Sequence, residues 1–177
     1  FRSNTLKKKE KNGMRDIIMT KEFAKLFSED LIFIEQAKDN EEIFNIIGKK
    51  LIEKGLVKDS FIEAIISREK DFPTGLDLSV IDHTGKVPNV AIPHTESEHC
   101  NTKKVVVVKL KNEITFYNMI SPDYKLKVKF LFIILNNEKG EQCNILADLM
   151  DFFTINKNFL KLAQLSDTNE IYKYIVA

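Results

Sequence analysis

Apolar and polar positions alternate in two different periods along most of this chain. Phe23–Phe27 is a short amphipathic piece, and Leu31–Ile34 has the β-branched, apolar character of a strand. Asp39-Asn40-Glu41-Glu42 then reads as a helix start, with a capping side chain followed by acids in the first turn. Ile43, Ile46, Ile47 and Leu51 keep helical spacing until Gly55, a residue suited to the C′ position. A second helix is expected from about Asp59, with Phe61, Ile62, Ile65 and Ile66 on its apolar face and an end before Pro73.

Beyond it, 72–93 is loop-rich, holding Gly75, Gly85 and Pro88. The short run Val90-Ala91-Ile92 reads as the end of a buried strand, closed by Pro93, which has no N–H for a ladder. Val105–Val108 reads as a central strand, Ile114–Tyr117 as a short separate one, and Val128–Leu135 as another strongly apolar one. After the turn cluster 136–140, the apolar residues from Ile145 to Phe153 return to helical spacing. Leu160–Leu165 predicts a short helix, and Asp167 or Thr168 caps a last one over Glu170–Val176.

Strands and helices thus alternate, which predicts an α/β layered fold with helices covering a mostly buried sheet. Ile114–Tyr117 follows the preceding strand too closely for a helical crossover, so one antiparallel pairing is expected and the sheet is mixed. The 177 residues fit one domain with a real core, taken as 20–177. Residues 1–19, lysine-rich and without periodicity, read as a flexible basic leader, a linker or a remnant of cloning.

Composition narrows the function. With 44% hydrophobic and 30% charged residues and a formal net charge of +1, nothing favours strong nucleic-acid or membrane binding. No apolar run approaches the ~20 residues needed to span a bilayer. Cys100 and Cys143, far apart, read as reduced thiols in the cytosol rather than a disulfide scaffold.

The chemistry concentrates in Asn89–His99. His83, His94 and His99 all lie in one window. Zinc accepts imidazole and thiolate ligands, but His94 and His99 are not an i,i+4 pair and no Cys-x2-Cys partner exists. A second chemistry is nucleophilic: a neutral imidazole at the end of a strand attacks phosphorus, given an acceptor on its other nitrogen and a cation for the phosphoryl oxygens. Arg68 is a candidate cation, and Thr95 with the N–H groups after it are candidate donors if a helix starts there. An idle loop histidine at position 94 is equally open, as is a surface salt bridge from Arg68 to Glu63 or Glu69. His83 reads as solvated, and His99 as either a supporting partner or a rim residue.

The run Ser67-Arg68-Glu69-Lys70-Asp71-Phe72-Pro73-Thr74-Gly75-Leu76, followed by Val90-Ala91-Ile92-Pro93-His94-Thr95 and then His99, resembles the IIA domains of the sugar phosphotransferase system. Within the fructose/mannitol superfamily the wording looks most like the galactitol-type branch. The resemblance covers about Lys21 to the C-terminus. It implies a mixed sheet flanked by helices on both faces, no cofactor, and a phosphoryl relay from phospho-HPr through a histidine to a cysteine of the IIB protein. By this resemblance His94 is the phosphorylated residue and Arg68 steadies the phosphoryl group. The partners implied are HPr and IIB in the cytoplasm, with only indirect association to the membrane IIC component. Ile92, Phe72 and Leu76 are candidates for a shared docking face, and each is equally well explained as core.

Two departures from the mannitol-type pattern stand out. Those members carry a second histidine at the start of the helix after the last core strand, whereas Gln142 stands there here. Glutamine can hydrogen-bond a phosphate or orient a ring but cannot take a proton at neutral pH. The stretch Asp77–Val87 is also longer than usual and is expected to cover the site or reshape the docking face. Two further readings remain alongside the carrier: a IIA-like regulatory domain cut from a transcriptional regulator, and a zinc-dependent hydrolase.

Overall fold

A computed structural model describes residues 21–80, 82, 85–139, 142–155 and 159–177. The expected leader 1–19 and His83 lie outside the described residues, and so do the side chains of Gln142 and Cys143.

Five strands form one mixed sheet: β1 (Ile32–Glu35), β2 (Gly75–Leu76), β3 (Asn89–Ala91), β4 (Lys104–Tyr117) and β5 (Lys125–Leu135), in the order β1-β4-β5-β3-β2. β1 runs parallel to β4 and β3 parallel to β5, while β4–β5 and β2–β3 are antiparallel. The expected antiparallel pairing is present, but for a different reason. Ile114–Tyr117 is no separate strand; it continues β4 past Lys111-Asn112-Glu113, where the register against β5 shifts. Asn112 keeps this polar stretch attached by donating from Nδ2 to Ala37 O at 2.8 Å. The central hairpin is therefore β4–β5.

Alternation along β4 divides the core. Val106, Val108 and Leu110 face one side, against α1 (Asn40–Glu53) and α2 (Phe61–Asp71). Val105 and Val107 face the other, with Phe130 and Phe132, under α3 (Gln142–Ile155), α4 (Phe159–Gln164) and α5 (Thr168–Val176). Helices cover both faces, as the resemblance implied.

The local signals act as their chemistry dictates. The Asp39 carboxylate caps α1 by accepting from Glu42 N at 2.9 Å, and Gly55 follows that helix at φ 72°. Asp167 caps α5 through Asn169 N and Glu170 N. α2 lies close on α1 because Gly48 has no Cβ: one there would collide with Ile62. That close packing fixes α2, and with it Arg68 in its last turn. Among the described residues no helix is long and apolar enough to cross a membrane.

Candidate functional site

The site gathers where β3 runs out. Ile92 is fully buried, and its N–H donates to Thr74 O at 3.1 Å. Pro93 does not end the pairing as its missing N–H suggested. Its carbonyl accepts from Ile134 N at 3.0 Å, and His94 still bridges to Ile134 of β5. Proline removes a donor but keeps an acceptor, so the chain stays beside β5 up to the histidine.

His94 is half-buried. Its Nδ1 lies 2.9 Å from Ile92 O. A carbonyl only accepts, so Nδ1 carries the proton, and the lone pair of the neutral ring sits on Nε2. Burial is the largest influence holding this imidazole below its ordinary value. The Ile92 hydrogen bond opposes that, the Arg68 charge reinforces it, and the Glu96 charge opposes it. The ring is thus neutral at physiological pH, with its tautomer fixed.

Arg68 does not pair with Glu63 or Glu69. Its Nη1 donates to Glu96 Oε1 at 2.9 Å, and its guanidinium lies over the Phe72 ring at 4.9 Å. Its Nε is buried without a partner among the described residues. Glu96, exposed, is held below the usual carboxylate range first by its own backbone N–H, then by the Thr95 hydroxyl and Arg68.

Thr95 is buried, and its hydroxyl donates to Glu96 Oε2 at 2.8 Å. No long helix starts after it: Ser97–His99 is a single 3-10 turn, so the expected ready-made row of N–H donors is not built. His99 joins the site from behind Glu96. Its Nε2 lies 3.9 Å from Glu96 Oε2, and its Nδ1 shares a 2.7 Å hydrogen bond with Ser60 Oγ at the start of α2. Gln142 is the first residue of α3. A cleft of about 240 Å³ runs beside Arg68, Phe72, Glu96 and His99.

Of the candidate docking residues, only Phe72 is on the surface, at 62% exposed; Ile92 and Leu76 belong to the core. The connection between β2 and β3 starts after Leu76 and ends at Asn89, the end of β3 away from His94. Cys100 is buried and free, with its thiol pushed up by burial. Among the described residues no group of three or more His, Cys, Asp or Glu side chains is arranged to hold a metal ion, which leaves the zinc reading without a ligand set there.

Two residues escaped the sequence reading. Glu96 carried a signal, a carboxylate two positions after the histidine, but its pairing with Arg68 across the fold did not show. Glu69 is 6% exposed and makes no salt bridge among the described residues. Thr74 N–H donates to its Oε1 at 2.9 Å, and the Thr74 hydroxyl lies 2.8 Å from Oε2. Burial, against these Thr74 hydrogen bonds, pushes its carboxyl up to about 7.

The chain matches other proteins along nearly this whole fold. The galactitol-specific EIIA component of Escherichia coli (strain K12) is 28% identical over 111 residues, 63% of this chain and 69% of that protein. The IIA mannitol structure from Escherichia coli superposes with a TM-score of 0.64 at 19% identity, covering 85% of this chain and 99% of that one. A complex of the Escherichia coli mannitol IIA enzyme with phosphorylated IIB gives 0.59 at 20% identity, over 84% and 96%. The family model described as "Phosphoenolpyruvate-dependent sugar phosphotransferase system, EIIA 2" matches residues 25–177. The chain therefore belongs to the EIIA 2 family of the phosphoenolpyruvate-dependent sugar phosphotransferase system, and with that family it is a phosphotransferase.

Proposed function

We propose that this protein is a phosphocarrier that takes a phosphoryl group on His94 Nε2 from phospho-HPr and passes it to a cysteine of a IIB partner. The observation that carries the reading is the neutral His94 ring, tied through Nδ1 to Ile92 O and leaving Nε2 as the nucleophile. The Nε2 lone pair forms the new N–P bond while the donor's N–P bond breaks, its electron pair returning to the donor imidazole. The proton stays on Nδ1, hydrogen-bonded to Ile92 O, throughout, so no external base is needed. On the onward step a thiolate replaces His94 on phosphorus by the same exchange.

Arg68 supplies the cation for the phosphoryl oxygens, since a guanidinium matches their geometry. Thr95 and His99 act through Glu96, which both of them flank. Gln142, where mannitol-type members carry a histidine, serves as a hydrogen-bonding group rather than a proton acceptor. The likeness to galactitol-specific relatives supports galactitol or a related sugar as the cargo of the system, in the cytoplasm beside a membrane IIC component.

The test is incubation with enzyme I, HPr and phosphoenolpyruvate. Acid-labile, base-stable phosphorylation of His94 is expected, and His94→Ala should lose it by about 1,000-fold or more. Equal labelling of His94→Ala and wild type would sink the assignment.

A further inference from the structure

We propose that Glu96 is a positioning residue for the transfer: it holds Arg68 while His94 is unloaded and yields the guanidinium to the phosphoryl group once His94 carries it. This rests on the reading of His94 as acceptor.

The resting arrangement leaves the arginine incompletely satisfied. Glu96 offers Oε1 to Nη1, but its second oxygen is taken by the Thr95 hydroxyl, and Arg68 Nε stays buried without an acceptor among the described residues. A guanidinium prefers two parallel hydrogen bonds to one acceptor group. A phosphoryl group brings three terminal oxygens and can fill Nε and an Nη together. Nothing else needs rebuilding, because α2 and the Phe72 ring already fix the guanidinium.

Charge drives the exchange. Glu96 is ionised and sits two residues from His94. A phosphoryl group arriving there places a second anion against a single cation. Glu96 can move away, since its side chain is 52% exposed and His99 Nε2 is already near its other oxygen. The carboxylate thus competes with the phosphoryl group for Arg68, raising the free energy of the loaded carrier and easing the onward transfer. An ordinary surface ion pair would do neither.

The experiment uses the full chain with Glu96→Gln and Glu96→Asp. Each is equilibrated with phospho-HPr, and the phosphorylated fraction is read by ³¹P NMR. Glu96→Gln is expected to shift the equilibrium about tenfold towards the loaded form, while Glu96→Asp, which keeps the charge, stays near wild type. The ¹⁵N resonance of Arg68 Nε should move on phosphorylation in the wild type. An unchanged or reduced loaded fraction in Glu96→Gln, or an Arg68 resonance indifferent to phosphorylation, overturns the inference while leaving His94 as acceptor. Absence of any phosphate on wild-type His94 overturns the parent reading as well.

Discussion

The two sides of the last turn of α2 solve the same problem in opposite ways. Arg68 and Glu69 are adjacent in sequence, yet about 100° apart around the helix. Arg68 turns towards the end of β3, keeps partial contact with water and meets Glu96. Glu69 turns inward to Thr74 and finds no cation among the described residues, and burial pushes its carboxyl up to about 7. An Arg-Glu pair in the sequence is therefore no ion pair in the fold. One residue faces the candidate site, and the other pins the turn beside it. Thr74 links them, since its carbonyl accepts the Ile92 N–H and Ile92 O in turn orients His94.

Truncating each side should give different signatures. Arg68→Ala is expected to slow phosphorylation of His94 by about 100-fold or more, the usual cost of removing one positioned donor, with little change in melting temperature. Quenched-flow transfer from phospho-HPr measures this, and a rate within threefold of wild type would mean Arg68 does not meet the phosphoryl group.

Glu69→Ala acts on the other side. It leaves Thr74 N–H unpaired in the core, which should cost about 2 kcal/mol of stability in urea unfolding. Glu69→Gln sharpens the point through pH. Burial raises the folded pKa above the unfolded one, so the folded state binds the extra proton between pH 4.5 and about 7. Wild-type stability is therefore full below that window and falls as pH rises through it, by up to about 3 kcal/mol. The glutamine variant carries no such proton, so this slope should vanish from its unfolding curves. A slope identical to wild type would assign the pH dependence to other groups.

The smallest expected effect belongs to Phe72→Ala. Losing the ring under Arg68 removes a partly exposed cation–π contact of about 0.5–1 kcal/mol, hence a few-fold loss in transfer rate. A larger loss in KM than in kcat would add a docking role for this exposed ring.

Much of this molecule was legible in the chain itself. The Asp39 cap, the Gly55 stop, the buried strands and the α/β alternation are local signals, because side-chain period and capping chemistry act within a few residues. The Ile92-Pro93-His94 segment, too, pointed to a histidine at a strand end. Where the reading failed, the deciding contacts were distant. Lys111-Asn112-Glu113 looked like a break, yet β5 and the Ala37 carbonyl carry β4 straight through it. Pro93 looked like a stop, yet Ile134 uses its carbonyl. Ile92 and Leu76 stood open between docking face and core, and only the sheet and its helices, which bury both, decide for core.

The sequence by itself determined most of the elements, the mixed sheet and a histidine at a strand end, since these follow from periodicity, caps and a short motif. Only the tertiary structure decided what that histidine sits beside. Glu96 reaches Arg68 across 28 residues, Ser60 reaches His99 across 39, and Glu69 is sealed from water by packing. Such pairings depend on how α2 lies against the end of β3, and no local pattern encodes the distance between two elements.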